Sequence, residues 1–406
     1  TNIKAELTIW GWSQSLKALS ANIEAFNEIY PNVTFRLVEL PHKEHHMRLL
    51  TAMAARRGGP DIAPLEGVNS NQYAGRGLVD LTEKLEPYRD QFPAVKWGEG
   101  YSNGRQYGVP YDVGPTVIYY RADIFEKVGL DPDPENFPKT WDELLEVGRV
   151  LKEHGYYLFG WDYIAPDTLC FYYYRTLLNQ LGSGFYDGNG KVLLGEEPSR
   201  KAAQLMLDMV NEGLIFTDAE YRQPGYFSAL ESGDIAAVLG ASWFGGILKT
   251  QVPRTEGLWR IAPMPAFEPG GVRTSNQGGT TVAILEQSKN KELAWEYLRF
   301  SLLTAEGPIR IYEYSGVFPA FFPAYESPIF GEADPFFGGQ KAMRIWADQA
   351  KDIPLYYYMP TSPEDDYVVN AALVDILLGN ATIEEALNEA KVKIIDNLKN
   401  YGIEQP

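Results

Sequence analysis

The chain has one cysteine, Cys170, among 406 residues, so no disulfide can form within it. A single thiol fits a reducing cytosol or an exported protein that avoids thiol chemistry, and by composition Cys170 reads as a small buried apolar residue. Cationic side chains are also in deficit: 36 Lys and Arg face 54 Asp and Glu, a formal net charge of −18. This balance argues against a nucleic-acid partner, whose phosphates need a cationic surface, and disfavours an anionic substrate unless a local basic pocket overrides the average. No apolar run approaches the ~18–20 residues of a membrane span. Histidine is scarce, and three of the four lie within HKEHH (42–46). His42 and His46 are spaced to share a helical face and bind zinc, but no cysteine or evident third ligand accompanies them, and no metal or cofactor is expected. DGNGK (187–191) begins like a calcium loop, yet position six is Val192 instead of the required Gly, so a turn is expected. The chain opens at Thr1 without a charged and apolar leader, which suits a cytosolic protein or one whose signal segment has been removed.

Aromatic residues are abundant: 26 Tyr, 19 Phe and 9 Trp. Tyrosine in such numbers suggests surfaces that need an apolar face and a hydroxyl together. The length suits two domains better than one core. LTIWGW (7–12) reads as a strand, and Leu16, Leu19, Ile23, Phe26 and Tyr30 mark one face of a helix that Pro31 stops. VTFRLVEL (33–40), a helix at about 43–57 and DIAPLE (61–66) follow, giving a β-α-β-α-β order and hence a parallel sheet with helices on its faces. Ligands bind such sheets beyond the carboxyl ends of the strands, which here carry Trp10, Trp12 and Ser13, then Glu39, then Glu66 and Asn69. Pro- and Gly-punctuated stretches at 104–129, 261–284 and 315–328 read as crossings between two αβ lobes, an arrangement that permits hinge closure. Capping boxes at Thr140/Glu143 and Thr382/Glu385 start two helices, an aromatic helix is expected near 168–181, and further helices near 198–212 and 289–302. In GASWFGG (240–246), Trp243 follows a short strand and sits among small residues, which would leave its flat ring room to meet something from outside.

The order of LTIWGW, GGPDIAPLEG with YAGRGLVDLTEKL, GVPYDVGPTVIYYRADIFEKVGL, TWDELLEVGRVLKEHG, ALESGDIAAVLGASWFGGIL and GGTTVAILEQSKNKELAWEYLRFSLLTAEG resembles the extracellular solute-binding proteins of bacterial ABC transporters, family 1, the maltose-binding-protein-like group. Each motif alone is weak; their order and spacing over nearly the whole chain are specific. The resemblance implies an α/β, two-lobed periplasmic-binding-protein fold of type II, with a ligand cleft between lobes and three hinge crossings. The amino-terminal lobe would take residues 1–111 and 265–322, the carboxyl-terminal lobe 112–264 and 323–406. It implies a non-enzymatic monomer outside the cytoplasm, periplasmic or lipid-anchored, which binds a neutral mono- or oligosaccharide and delivers it to membrane permease subunits. The family usually has Tyr-Asn where this chain has Tyr120-Arg121, in a turn away from the expected ligand.

A sugar ring has an apolar C–H face and a polar rim, so a binder needs flat aromatics with polar side chains around them. By resemblance Trp243 is the stacking platform; the alternative is a core residue at a lobe interface. Trp12 is expected in the site and Trp10 under a helix. Ser13 and Gln14 are candidates that could equally cap a helix. Glu66 and Asn69 match a stretch that supplies polar contacts; alternatively Asn69 is an N-cap. Asp112, in the first crossing, either binds hydroxyls or holds a hinge. Trp161 and Tyr173 are candidates, although three successive tyrosines must face different ways. Gly278 and Gly279 would let backbone approach the ligand, or supply a turn with positive φ. Asp366 would open a cleft-lining helix, or merely begin it as an acidic first turn. Two other readings stay open. A glycoside hydrolase would need two carboxyl groups across the scissile bond, with Glu66, Asp112 and Asp366 as candidates. A binder of metal, phosphate or peptide is the other, although aromatic and acidic strand ends favour a neutral polyol over phosphate.

Overall fold

The computed structural model describes residues 2–406. The elements that build the two main sheets and frame the candidate site are, in chain order, β1 (Ala5–Gly11), α1 (Ser13–Ser20), α2 (Ile23–Ile29), β2 (Val33–Glu39), α3 (His42–Ala55), β3 (Ile62–Glu66), α4 (Gly67–Ser70), β4 (Val109–Pro110), β5 (Thr116–Arg121), α5 (Trp141–Glu153), α6 (Arg175–Gln180), β6 (Ala237–Ala241), α7 (Ser242–Gln251), β7 (Trp259–Pro263), β8 (Thr280–Ile284), α8 (Lys291–Leu302), α9 (Ala342–Ala350), α10 (Ser362–Leu378) and α11 (Ile383–Asn400).

Contacts divide the chain into two units. Unit 1 takes the chain through Val113, Gly278–Ser327 and Tyr357–Ser362; unit 2 takes Gly114–Gln277, Pro328–Tyr356 and Pro363–Pro406. Asp112 therefore falls in unit 1. Residues 265–277, expected in the amino-terminal lobe, fall in unit 2, because Ala266 N–H donates to Lys139 O at 2.8 Å and Asn276 N–H to Asn179 Oδ1 at 3.2 Å. Residues 357–362, expected in the carboxyl-terminal lobe, fall in unit 1, where Asn71 Nδ2 donates to the carbonyl of Tyr358 at 2.5 Å.

Unit 1 holds a five-stranded sheet in the order β2-β1-β3-β8-β4. β1 runs parallel to β2 and β3, whereas β8 is antiparallel to β3 and β4. The carboxyl ends of β1 and β3 thus point the same way, and the antiparallel β8 begins there, with Thr280 opposite Glu66. Helix α3 covers the sheet through Leu49 and Met53, which join Ala63, Leu65, Tyr73, Leu78, Ala283 and Leu285 in one buried cluster. Full burial of a large apolar side chain contributes roughly 1.5–3 kcal/mol, so this seam locks the helix over the strand ends. The helix expected from Leu16 to Tyr30 is broken into α1 and α2 at Asn22, whose buried amide donates to Gly307 O at 3.0 Å and accepts from Arg310 at 3.2 Å.

Unit 2 holds a three-stranded antiparallel sheet, β6-β5-β7, and a short parallel pair, Phe159–Gly160 with Ile215–Phe216. The capping boxes at Thr140/Glu143 and Thr382/Glu385 are both formed, starting α5 and α11; such a cap is worth about 1 kcal/mol. The turn at Asp187 is an Asx turn, with Oδ1 accepting from the N–H groups of Asn189 and Lys191. Arg121 holds Asp123 through two bonds of 2.8 Å and donates to Leu230 O at 2.9 Å, a structural use of the departure at Tyr120-Arg121. Among the described residues no helix is long and apolar enough to cross a membrane.

Candidate functional site

In unit 1 the polar and aromatic candidates gather where β1 and β3 end and β8 begins. β1 stops at Gly11, so Trp12 is the first residue beyond the strand, in extended conformation at the N-cap of α1. Its half-buried ring meets the imidazole of His42 edge-on at 4.7 Å and lies nearly parallel to that of His46, at 5.7 Å and 27°. Trp10, still within β1, lines one surface pocket with α3 residues Arg48, Thr51, Ala52 and Ala55. His42 Nε2 lies 3.0 Å from Glu66 Oε2. His46 Nδ1 donates to His42 O at 3.0 Å and its Nε2 accepts from Glu66 N–H at 3.4 Å, which defines the neutral tautomer. Burial pushes the His46 pKa down to about 4, with the two neighbouring histidines adding to the effect. His45 Nε2 donates to Pro64 O at 2.8 Å, and burial lowers its pKa as well. The histidines therefore wall in Trp12 and Glu66 through ring contacts and backbone bonds. Among the described residues no group of three His, Cys, Asp or Glu is placed to hold a metal ion.

Glu66 occupies the N-cap position of α4, and Asn69 lies inside that short helix with its amide 3.4 Å from Gln72 Oε1, so Asn69 is not the cap. Gly279 O accepts from Gly67 N–H at 2.9 Å, bringing the glycine pair against this helix start. Gly278 and Gly279 have φ of 79° and 109°, which only glycine adopts without strain, so the turn reading of this pair holds. Asp112 Oδ1 accepts from Thr280 N–H at 2.6 Å, and the buried Lys96 ammonium donates to Thr280 O at 3.0 Å while pairing with Glu99. Burial raises Glu99 to about 7 and Asp112 to about 6, with Lys96 opposing both shifts. One ammonium among three carboxylates leaves this end of unit 1 rich in hydrogen-bond acceptors. Ser13 and Gln14 are exposed at the start of α1, and neither forms a side-chain cap.

In unit 2 the candidates gather where β6 turns into α7. Trp243 is the second residue of α7 and is half-buried. Its indole Nε1 donates to Gln277 O at 3.0 Å, which fixes the plane of the ring. The buried Gln277 side chain accepts from Ala241 N–H at 3.1 Å and donates to Tyr172 O at 2.7 Å, while its own N–H donates to Gly114 O at 3.0 Å. Gln277, which the sequence reading passed over, thus ties the crossing strand, the end of β6 and the Tyr172 backbone together. A Cβ on Gly114 would lie 2.0 Å from Gln277 O, so only glycine permits this approach. Two of the three glycines around Trp243 do different work from that expected, while a Cβ on Gly246 would meet open space. A Cβ on Gly245 would meet Trp346 of α9 at 2.8 Å, and one on Gly240 would meet Phe244 at 3.0 Å, so both serve packing inside the unit.

The aromatic helix opens with wide π-type turns over Leu169–Tyr174 before α6, a deviation often found at functional sites. It buries Tyr173 and Tyr174 and leaves Tyr172 half-exposed. Tyr173 donates to Gly160 O at 2.7 Å and packs against the buried Trp161 at 4.7 Å. Both therefore stand in the interior behind the site, and the accessible partner of Trp243 is Tyr172, edge-on at 6.1 Å. Arg222 completes the group, with its guanidinium carbon 5.3 Å from the Trp243 ring centre and Nη1 donating to the Tyr172 hydroxyl at 3.0 Å. Asp366 belongs to a separate buried cluster: it pairs with Arg175 and accepts from the Cys170 thiol at 3.7 Å. Burial raises its pKa to about 6 against the pull of Arg175. Its place is an anchor between α10 and α6 instead of an exposed first-turn acid.

The family described as "Bacterial extracellular solute-binding protein" matches residues 10–307. The arabinooligosaccharide-binding protein of Bacillus subtilis (strain 168) is 28% identical over 401 residues, covering 95% of this chain and 91% of the relative. The lactose-binding protein of Rhizobium radiobacter is 26% identical, covering 93% and 90%. The ABC-transporter-associated binding protein of B. animalis subsp. lactis Bl-04, solved in complex with beta-1,6-galactobiose, superposes with a TM-score of 0.75 at 25% identity, covering 99% of this chain and all of the other. The sugar-binding protein MalE of Xanthomonas citri shares the fold with a TM-score of 0.82 at 18% identity, covering 98% of each chain. The chain belongs to the bacterial extracellular solute-binding proteins.

Proposed function

We propose that this protein captures a neutral oligosaccharide outside the cytoplasm, from the periplasm or while lipid-anchored to the outer face of the cell membrane. It hands the sugar to the permease subunits of an ABC importer and acts as a monomer without catalysing a reaction. The observation that carries this reading is the indole of Trp243, half-exposed and held in one plane by Gln277 O beside the half-exposed Tyr172. A ring held in this way accepts the C–H face of a pyranose or furanose with little further loss of freedom. In unit 1, Trp12 offers a second flat surface, and Glu66 and Asp112 offer acceptors for sugar O–H donors. The proposed saccharide draws on the aromatic and polar groups of both units, and a ligand favours one state of the protein only by its differential affinity for it.

The three carboxylates considered for hydrolysis are all engaged: Glu66 with His42, Asp112 with Thr280 N–H and Asp366 with Arg175. The test is calorimetric titration with lactose, beta-1,6-galactobiose and an arabino-oligosaccharide, with chromatography of the sugar before and after. The expected result is saturable binding to at least one of them with the sugar recovered intact. Absence of binding to every sugar, or release of cleaved sugar, contradicts the reading.

A further inference from the structure

Arg222 is one of three non-glycine residues with positive φ among those described, at 61°. An L-residue rarely adopts this region, and such strain concentrates at ligand clamps and active sites. The strain here delivers a guanidinium to the rim of an aromatic cluster. Among the described residues no carboxylate forms an ion pair with it, although the chain carries a net charge of −18. Among the described residues, the one acceptor in hydrogen-bond range of the five N–H donors of the fork is the Tyr172 hydroxyl. Having accepted that bond, the Tyr172 hydroxyl keeps its own proton to donate. At 5.3 Å from the indole centre the guanidinium lies over the ring, within the ~6 Å range of a cation–π contact. It is half-exposed, beside the one indole in unit 2 whose plane is fixed by the crossing strand.

We propose that Arg222 is a specificity-determining residue, its guanidinium donating in paired fashion to adjacent hydroxyl oxygens of the sugar ring carried by Trp243, with Tyr172 adding a further donor. This rests on the reading of Trp243 as a sugar platform. The fork suits two neighbouring oxygens in a way that a single ammonium does not. Unit 2 then supplies donors around its aromatic face, and the ligand must present acceptor oxygens there.

The test is calorimetry of the full chain and of Arg222→Met, Arg222→Lys, Tyr172→Phe and Trp243→Ala, each with lactose, beta-1,6-galactobiose and an arabino-oligosaccharide. Arg222→Met is expected to weaken the best of these by about 30-fold and Arg222→Lys by about 10-fold, the range for losing charge-assisted hydrogen bonds. Tyr172→Phe should cost about threefold or less, since it removes one neutral donor. Melting temperature should stay at or above the wild-type value in the Arg222 variants. Arg222→Met binding within twofold of wild type, with Trp243→Ala still impaired, overturns the role of Arg222 and leaves the platform standing. Equal losses in Arg222→Met and Tyr172→Phe, with no further loss in the double variant, would reduce Arg222 to a support for Tyr172 and also overturn it. Wild-type binding that Trp243→Ala leaves unchanged overturns the platform, and this proposal with it.

Discussion

The two clusters are built in opposite ways. In unit 1 an indole is backed by histidine rings, of which the buried His46 is neutral, and surrounded by carboxylates, so the polar groups there chiefly accept hydrogen bonds. In unit 2 an indole is locked by a backbone carbonyl and flanked by Arg222 and Tyr172, which donate. A sugar hydroxyl both donates and accepts, so one saccharide satisfies both chemistries. An anion would meet repulsion in unit 1, and a cation would meet the guanidinium in unit 2. The difference teaches that, on the proposed reading, a neutral-ligand preference comes from the unlike chemistry of the two clusters and not from net charge.

The comparison is most easily broken at the indoles. Trp243→Ala should lower saccharide affinity by about 100-fold or more while the fold survives, since the ring is half-exposed and truncated aromatic anchors commonly cost more than ~2 kcal/mol. Calorimetry with circular dichroism checks it. Gln277→Ala tests the support behind that ring. The variant keeps the carbonyl that holds Trp243 but strips partners from Ala241 N–H and Tyr172 O, and it should destabilise unit 2 by about 2–3 kcal/mol in denaturant melts. Trp12→Ala should cost about tenfold in affinity, less than Trp243→Ala, because histidine rings already cover part of the Trp12 surface.

The smallest effect concerns pH. The folded pKa of Asp112, about 6, lies above the ordinary carboxylate value, so the folded state holds this proton more tightly than the unfolded chain. Its contribution is greatest at low pH and is lost as pH rises from about 4 through about 6. Asp112→Asn, which still offers an oxygen to Thr280 N–H, should therefore gain on wild type by roughly 1–3 °C in melting temperature between pH 4.5 and pH 7.5. A constant difference across that range would show that Asp112 does not titrate there.

Much of this was readable in the sequence. The β-α-β-α-β start, both capping boxes and the position of Trp243 after a strand follow from periodicity and cap chemistry, which act over a few residues. The choice of Tyr173 over Tyr172 failed because the reading assumed ordinary helical turns, while Leu169–Tyr174 winds more widely and turns Tyr172 outward. Asp366 could not be placed because its partner, Arg175, lies 191 residues away. The glycines beside Trp243 suggest room for a ligand, yet Phe244 and Trp346 fill the space at Gly240 and Gly245, and only Gly246 faces open space. Gln277 and Arg222 carry no local signal, and His42 reads only as a candidate zinc ligand, because their roles depend on contacts across the fold: an indole, a tyrosine and a carboxylate distant in sequence.

The most direct test of the paired half-sites is a double-mutant cycle on Trp12→Ala and Trp243→Ala, read by calorimetry with whichever of lactose, beta-1,6-galactobiose or an arabino-oligosaccharide binds wild type best. The account predicts that each variant, still folded, loses affinity for the same saccharide. Loss in one variant alone, with the other binding as wild type does, would contradict it by leaving the ligand on a single unit.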